Sequence, residues 1–398
     1  MQLGWIDFSK QERNKVLNVL HLLDEPGAVD ELGVGPIRDA FADYFFPGTS
    51  TVQTRAKYFL IVPYVLKEAG SGMYGSDLNT ILRKIDNEER RCRDLLTLAG
   101  TDGVIGSLVP HSWVVRTPSK IYWNGIKKLG IFRAADLSVK EYIRQSIIQR
   151  TLKLAQTYGN RDKEAEENEK DDADAGDLTS FQFWSLGDTY QKDWRDNLTI
   201  ELLPKEAAYL KNQIITSQRE SLFAFILKKN ISPEKYDSFG ALSAGLKGMV
   251  SLDLEHMMKL ADDFNNLVAM MMTRYNLIVS QGRNKSAADY WNTFSQDMKR
   301  RSKVELKDIF NELNIKNINL FTFLKLVQEA FAVGDIGKAD ELIMNREVKI
   351  KGQARAKTKR AGEYPEESWI GYFMLDYRYG PAKRIIKDIV KAEVKEHV

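Results

Sequence analysis

The chain has 398 residues and a nearly balanced charge, with 58 lysine and arginine residues against 55 aspartate and glutamate residues and a formal net charge of +3. A chain this close to neutrality has no strong overall electrostatic field, so only local patches can attract nucleic acid. Cys92 is the single cysteine, which excludes an intramolecular disulfide and a cysteine-rich metal cluster. Because 43% of the residues are hydrophobic and no apolar run is long enough to span a membrane, we expect a multidomain globular protein of the cytoplasm.

The chain begins with two predicted helices. Ser9 and Glu12 have the spacing of a capping box, which predicts a helix from there to about Leu23. Pro36 is suited to the first turn of the second helix, where its missing N–H costs nothing. The apolar residues that follow recur at helical spacing, and they are Ile37, Phe41, Tyr44 and Phe45.

A helical hairpin is predicted next, because Pro47 and Gly48 end the second helix and hydroxyl residues follow them. We expect a third helix to begin near Val52, with an exposed start that suits phosphate or DNA. The polar residues proposed to contact nucleic acid are Thr49, Ser50, Thr51, Gln53, Thr54, Arg55 and Lys57. This outline matches a helix-turn-helix, but an ordinary helical hairpin with a capped second helix has the same pattern.

The middle of the chain contains further predicted helices and one strongly acidic segment. Helices are expected at residues 76–98, after Pro118 and at residues 137–158, with a short strand at residues 111–115. Residues 160–177 contain nine acidic and three basic residues, which indicates a flexible linker. We therefore predict an N-terminal helical domain at residues 1–158, a linker at residues 159–177 and a C-terminal helical domain at residues 178–398.

The C-terminal part is also predicted to be helical. Helices are expected at residues 204–229, 251–279 and 284–313, and a helix pair at residues 319–345 is broken at Gly334. The helix at residues 251–279 is rich in methionine, and helical spacing of such residues indicates core packing more often than a cofactor site.

A basic segment at residues 349–360 is the second candidate for nucleic-acid contact. It contains no acidic residue, and its small residues and Gly352 predict a loop. Its six basic residues are Lys349, Lys351, Arg355, Lys357, Lys359 and Arg360. An aromatic segment at residues 369–379 and an amphipathic helix at residues 382–394 follow.

The sequence lacks the common catalytic motifs for nucleotide binding, serine hydrolysis and zinc proteolysis. The four histidines are far apart and have no metal-ligand spacing, so we predict no catalytic residue, no metal and no cofactor. Two alternatives stay open, a reactive Cys92 among arginines and a divalent metal site. The carboxylates that such a metal site would use are Asp30, Glu31, Asp39 and Asp43.

Three blocks of sequence together resemble DUF6361, a bacterial and archaeal family of unknown function. They are GWIDFS at the start, LGVGPIRDAFADYFFPGTSTVQTRAKYFLIVP in the hairpin, and PSKIYWNGIKKLGIF after it, with WIGYFMLDYRYG as a further block. The resemblance implies no activity or catalytic residue. It implies a setting beside helicases, nucleases and methyltransferases in phage-defence loci.

These observations predict a mainly α fold whose N-terminal domain has helix-turn-helix or winged-helix character. The expected function is a non-enzymatic nucleic-acid-binding or adaptor subunit of an anti-phage defence or DNA-processing complex, with DNA and proteins of the same locus as partners. A metal-dependent nuclease is one alternative. A purely structural subunit that binds proteins through the aromatic segment is the other.

Overall fold

The computed structural model describes residues 30–100, 102–108, 113–164, 182–196, 198–364 and 367–394. The predicted helix before Leu23, the start of the predicted strand and most of the acidic linker lie outside these residues. Within them the chain is predominantly α-helical, and the only β pairing is an isolated bridge between Phe132 and Trp184, so the predicted mainly α fold is confirmed. None of the described helices combines the length and the apolar character that crossing a membrane requires.

The helices before residue 230 are Gly35–Phe45, Tyr58–Ser71, Leu78–Ala99, Pro118–Lys128, Val139–Glu164, Pro204–Ser217 and Leu222–Lys228. Those after it are Phe239–Leu246, Leu252–Val279, Lys285–Ser295, Met298–Arg301, Leu306–Glu312, Ile318–Val333, Ile336–Lys351 and Tyr379–Val394. The predicted helix at residues 204–229 is two helices, because Ser221 caps the second with a hydrogen bond from the N–H of Ala224 to its Oγ at 3.1 Å. The described residues 113–115 form no strand.

Contacts divide the chain into two compact units. Unit 1 contains residues 1–41 and 239–377, and unit 2 contains residues 42–238 and 378–398. The described part of the predicted acidic linker, residues 159–164, belongs to the helix Val139–Glu164.

The core of unit 1 is the methionine-rich helix Leu252–Val279. Its methionine side chains are buried, as the helical spacing predicted, and they are Met257, Met258, Met270, Met271 and Met272. Helices Lys285–Ser295 and Ile336–Lys351 pack against it. The predicted break at Gly334 is confirmed, because this glycine ends the preceding helix in the left-handed region with a φ of 79°.

The core of unit 2 is the buried helix Tyr58–Ser71. Every residue from Tyr58 to Leu66 is buried, and the neighbouring helices Leu78–Ala99, Pro118–Lys128 and Val139–Glu164 pack around it. The helix continues through Pro63. A helix that is apolar on all sides belongs in a protein interior, which explains why so little of this one is exposed.

Candidate nucleic-acid interface

The hairpin segment, residues 46–57, does not contain the exposed helix start that we predicted. The buried helix begins at Tyr58, with Lys57 as its N-cap, and not near Val52. The side chains of the turn bond one another instead: the Thr49 hydroxyl donates to the Phe46 carbonyl at 2.6 Å, and the Gln53 amide donates to the Gly48 carbonyl at 3.1 Å. Both side chains are buried, so these bonds stabilise the turn.

Lys57 is buried in an ion pair and is closed to solvent. Its Nζ lies 2.8 Å and 2.6 Å from the two carboxylate oxygens of Glu206, and both side chains are about 5% exposed. Burial lowers the pKa of Lys57. The same carboxylate accepts the backbone N–H of Leu203 at 2.8 Å. Lys57 therefore stabilises unit 2 and presents no charge to a ligand.

Arg55 is also held by a carboxylate. Its Nε lies 3.0 Å from both oxygens of Asp388, which also accepts the backbone N–H of Ala56 at 2.9 Å. The neighbouring Thr54 donates from its hydroxyl to the Gly103 carbonyl at 2.7 Å. Of the three hydroxyl residues at the turn, Thr51 is exposed, whereas Ser50 is half-buried. Contact of these residues with nucleic acid stays a prediction, but the exposed helix start on which it rested is absent from the described hairpin.

Arg55 lies in a cleft of about 640 Å³ in unit 2 whose other cations come from the C-terminal helix Tyr379–Val394. Helical spacing places these cations on one face, and they are Arg384, Lys387 and Lys391. Lys387 lies 2.6 Å from Glu234, and Lys391 lies 2.5 Å from Glu201. The sequence pattern predicts only that this helix is amphipathic and does not single out its lysines.

The basic segment, residues 349–360, is more ordered than the loop we predicted. Its first residues complete the helix Ile336–Lys351, and its last four form the short 3₁₀ helix Lys357–Arg360. The cause is the buried carboxylate of Glu347, which accepts the backbone N–H groups of Lys357 and Thr358, each at 3.0 Å. The expectation of an irregular loop was therefore wrong.

Two of the six cations in the basic segment are neutralised by ion pairs inside unit 1. Lys351 and Lys357 both pair with the buried carboxylate of Glu31, and the Lys357 distance is 2.7 Å. The hydroxyl of Tyr275 lies between Glu31 and Glu347, at 3.1 Å and 2.7 Å from their oxygens. This buried network fixes the position of the basic segment in unit 1.

The remaining cations of the basic segment are exposed, and they are Lys349, Arg355, Lys359 and Arg360. The contacts that they make are weak: Lys349 lies 3.3 Å from the Asn319 side chain, and the Arg355 guanidinium donates to the Lys351 carbonyl at 3.1 Å. The ring of Tyr364 is 5.9 Å from the Arg360 guanidinium carbon. The described structure thus presents four positive charges and an aromatic ring on a turn of unit 1 that the Glu347 carboxylate holds by hydrogen bonds.

The carboxylates considered for a metal site have other partners. Asp30 accepts the backbone N–H groups that open the helix Gly35–Phe45, at 2.9 Å and 2.6 Å, and Asp39 pairs with Arg38 at 2.8 Å. Asp43 pairs with Arg378, and Glu31 belongs to the network described above. Among the described residues, no three metal-ligating side chains are grouped to hold an ion.

Cys92 and the aromatic segment are also part of the packed interior. Cys92 is buried, and burial raises its pKa to about 12, so its thiol is protonated at neutral pH. In the aromatic segment, Ile370 and Leu375 bond through their backbones to the side chains of Asn276 and Asn265. These contacts bind the segment to the methionine-rich helix.

Comparison with known proteins gives one match. A family model described as "Family of unknown function (DUF6361)" matches residues 1–222. No curated protein and no solved structure matches the chain. The match covers the hairpin segment and the buried helix, and it ends before the basic segment.

Proposed function

The chain belongs to the DUF6361 family, whose function is unknown, and we propose that it is a non-enzymatic nucleic-acid-binding or adaptor subunit of a prokaryotic anti-phage defence or DNA-processing complex. The observation that carries this proposal is the difference between the cations of the basic segment. Lys351 and Lys357 are neutralised by a buried glutamate, whereas Lys349, Arg355, Lys359 and Arg360 face solvent.

Exposed cations on a fixed turn are suited to phosphate groups. Each phosphate that a lysine or arginine neutralises releases counterions, and this release supplies most of the affinity of sequence-independent binding. Contacts to phosphates position a protein without reading bases. The half-buried Tyr364 adds a surface on which an unpaired base can stack. These features support binding of nucleic acid without strong sequence preference.

The adaptor part of the proposal concerns protein partners. The family resemblance implies neighbours that process DNA, such as a helicase or a nuclease. A subunit with its own phosphate contacts can hold such an enzyme on nucleic acid without catalysing a reaction itself.

The test uses a triple variant, Arg355→Ala, Lys359→Ala and Arg360→Ala. We expect its affinity for a fluorescently labelled single-stranded or double-stranded DNA, measured by anisotropy at low salt, to fall by about tenfold or more. Removal of exposed side chains leaves the buried network of Glu31 and Glu347 intact, so the circular dichroism spectrum stays the same.

A control triple variant removes the same charge elsewhere on unit 1, where Lys303, Lys307 and Lys316 are exposed. Replacement of these three lysines by alanine should change the affinity less than twofold. Equal losses in both variants would show that only net charge matters. Unchanged affinity in the first variant would refute the basic segment as the interface.

A further inference from the structure

Unit 1 contains a second candidate site that the proposed function does not use. It is a pocket of about 420 Å³ between the helix Phe239–Leu246 and the first turns of the methionine-rich helix. Pockets for small molecules typically combine apolar walls with a few converging polar groups. Its charged or titratable lining residues are Lys247, Glu255, His256, Lys259 and Asp262, and Ser243, Leu252 and Met258 also line it.

The polar centre of this pocket is the carboxylate of Asp262. The hydroxyl of Ser243, a residue that is only 8% exposed, donates to its Oδ2. Within the described residues no donor is bonded to Oδ1. Burial raises the pKa of Asp262 to about 6, so the group is still mainly ionised at neutral pH. An ionised carboxylate has about four lone-pair sites, so both oxygens can still accept hydrogen bonds.

The walls and the rim of the pocket have different chemistry. Leu252 is 85% exposed and supplies apolar surface to the pocket, whereas Met258, which also lines it, is almost fully buried. Lys247, His256 and Lys259 are exposed, and Glu255 accepts the backbone N–H of Gly248 at 3.2 Å. The pocket therefore offers the Asp262 carboxylate, an apolar surface and two exposed lysines, with Glu255 as a second carboxylate in its lining.

We propose that this pocket binds a free guanine nucleotide. Guanine is the nucleobase with two adjacent N–H donors on one edge, the ring N–H and the exocyclic amino group, and these match the two oxygens of a carboxylate. In this arrangement the flat ring packs against Leu252, and Lys247 or Lys259 neutralises the phosphate. Adenine, cytosine and uracil each place an acceptor beside their donor, which a carboxylate repels.

The first test titrates the full chain with guanosine, inosine and adenosine monophosphates by calorimetry or NMR. Inosine monophosphate lacks only the exocyclic amino group. Since a hydrogen bond to a charged group contributes roughly 1.5–3 kcal/mol, its loss should weaken binding by about tenfold or more. Equal affinity for all three nucleotides, or failure of the guanosine nucleotide to bind at millimolar concentration, would overturn the proposal.

The second test compares two carboxylates of unit 1, one inside the pocket and one outside it. Asp262→Asn replaces one acceptor oxygen with a donor group, and we expect it to weaken guanosine monophosphate binding by about tenfold or more. Asp289→Asn is the matched control, because Asp289 is an exposed carboxylate on the helix Lys285–Ser295 and does not line the pocket. Its affinity should stay within twofold of the native value. Undiminished binding by Asp262→Asn contradicts the proposal. If that variant fails to fold, the ratio of guanosine to inosine nucleotide affinity on the native chain decides the matter.

Discussion

We predict that a buried glutamate in unit 2 makes the free energy of unfolding depend on pH. Glu89, on the helix Leu78–Ala99, is 2% exposed. Its Oε1 accepts the backbone N–H of Ser119, in the first turn of the next helix, at 2.6 Å. Its Oε2 is buried without a hydrogen-bond partner in the described structure. Burial raises the pKa of Glu89 from 4.5 to about 7, because the charged form loses its hydration.

The direction of the pH effect follows from this shift. Below pH 4.5 the Glu89 carboxyl is protonated in both the folded and the unfolded protein, so it does not lower the free energy of unfolding. Between pH 4.5 and 7 the unfolded chain releases the proton while the folded protein keeps it, so the free energy of unfolding falls as the pH rises. One pKa unit corresponds to about 1.4 kcal/mol, so the loss is about 3 kcal/mol in total.

The variant Glu89→Gln tests this reasoning because its amide oxygen still accepts from Ser119 but cannot ionise. We would measure urea unfolding of the native protein and the variant at pH 4.5 and pH 8. The difference in unfolding free energy should shift in favour of the variant by about 3 kcal/mol between the two pH values. Comparison of two proteins that differ at one residue cancels the contributions of other titrating groups. A difference that stays constant with pH would refute the account.

Three further predictions concern the paired cations, the basic segment and catalysis. Lys57→Ala leaves Glu206 buried without its partner, so it should lower the free energy of unfolding by roughly 3–5 kcal/mol. Lys205→Ala, at an exposed position, is the control and should leave the free energy of unfolding almost unchanged in the same denaturation assay. Limited trypsin digestion of the free protein should spare residues 355–360, since Glu347 fixes their backbone; rapid cleavage there would show that the turn is not braced. The pure protein should leave DNA, RNA and ATP intact in magnesium or manganese. Metal-dependent cleavage that disappears in Asp39→Asn would favour the nuclease instead.

Periodic patterns in the sequence predicted much of the fold. The methionine-rich helix is long and its apolar residues recur at helical spacing, so its extent and burial follow from local pattern alone. The prediction of an exposed helix start in the hairpin segment was wrong for a local reason. Its hydroxyl residues match a helix cap, but Thr49 donates to the Phe46 carbonyl instead of accepting from a helix start. Local sequence does not distinguish these two uses of a hydroxyl.

The candidate site could be predicted only in part, because the partners of its cations are distant in sequence. Lys57 and Glu206 are 149 positions apart, and Arg55 and Asp388 are 333 apart. Lys357 pairs with Glu31 across 326 positions. A run of basic residues therefore looks uniform in the sequence, although buried carboxylates neutralise some of its members and leave the others exposed.

The most direct test of the proposed function is the salt dependence of nucleic-acid binding by the full chain. The logarithm of the association constant for single-stranded DNA should fall linearly with the logarithm of salt concentration. If Lys349, Arg355, Lys359 and Arg360 each neutralise one phosphate, the slope should be about −3, and the triple variant of the basic segment should flatten it by about two units. No detectable binding at low salt, or a slope that the triple variant leaves unchanged, would contradict the account.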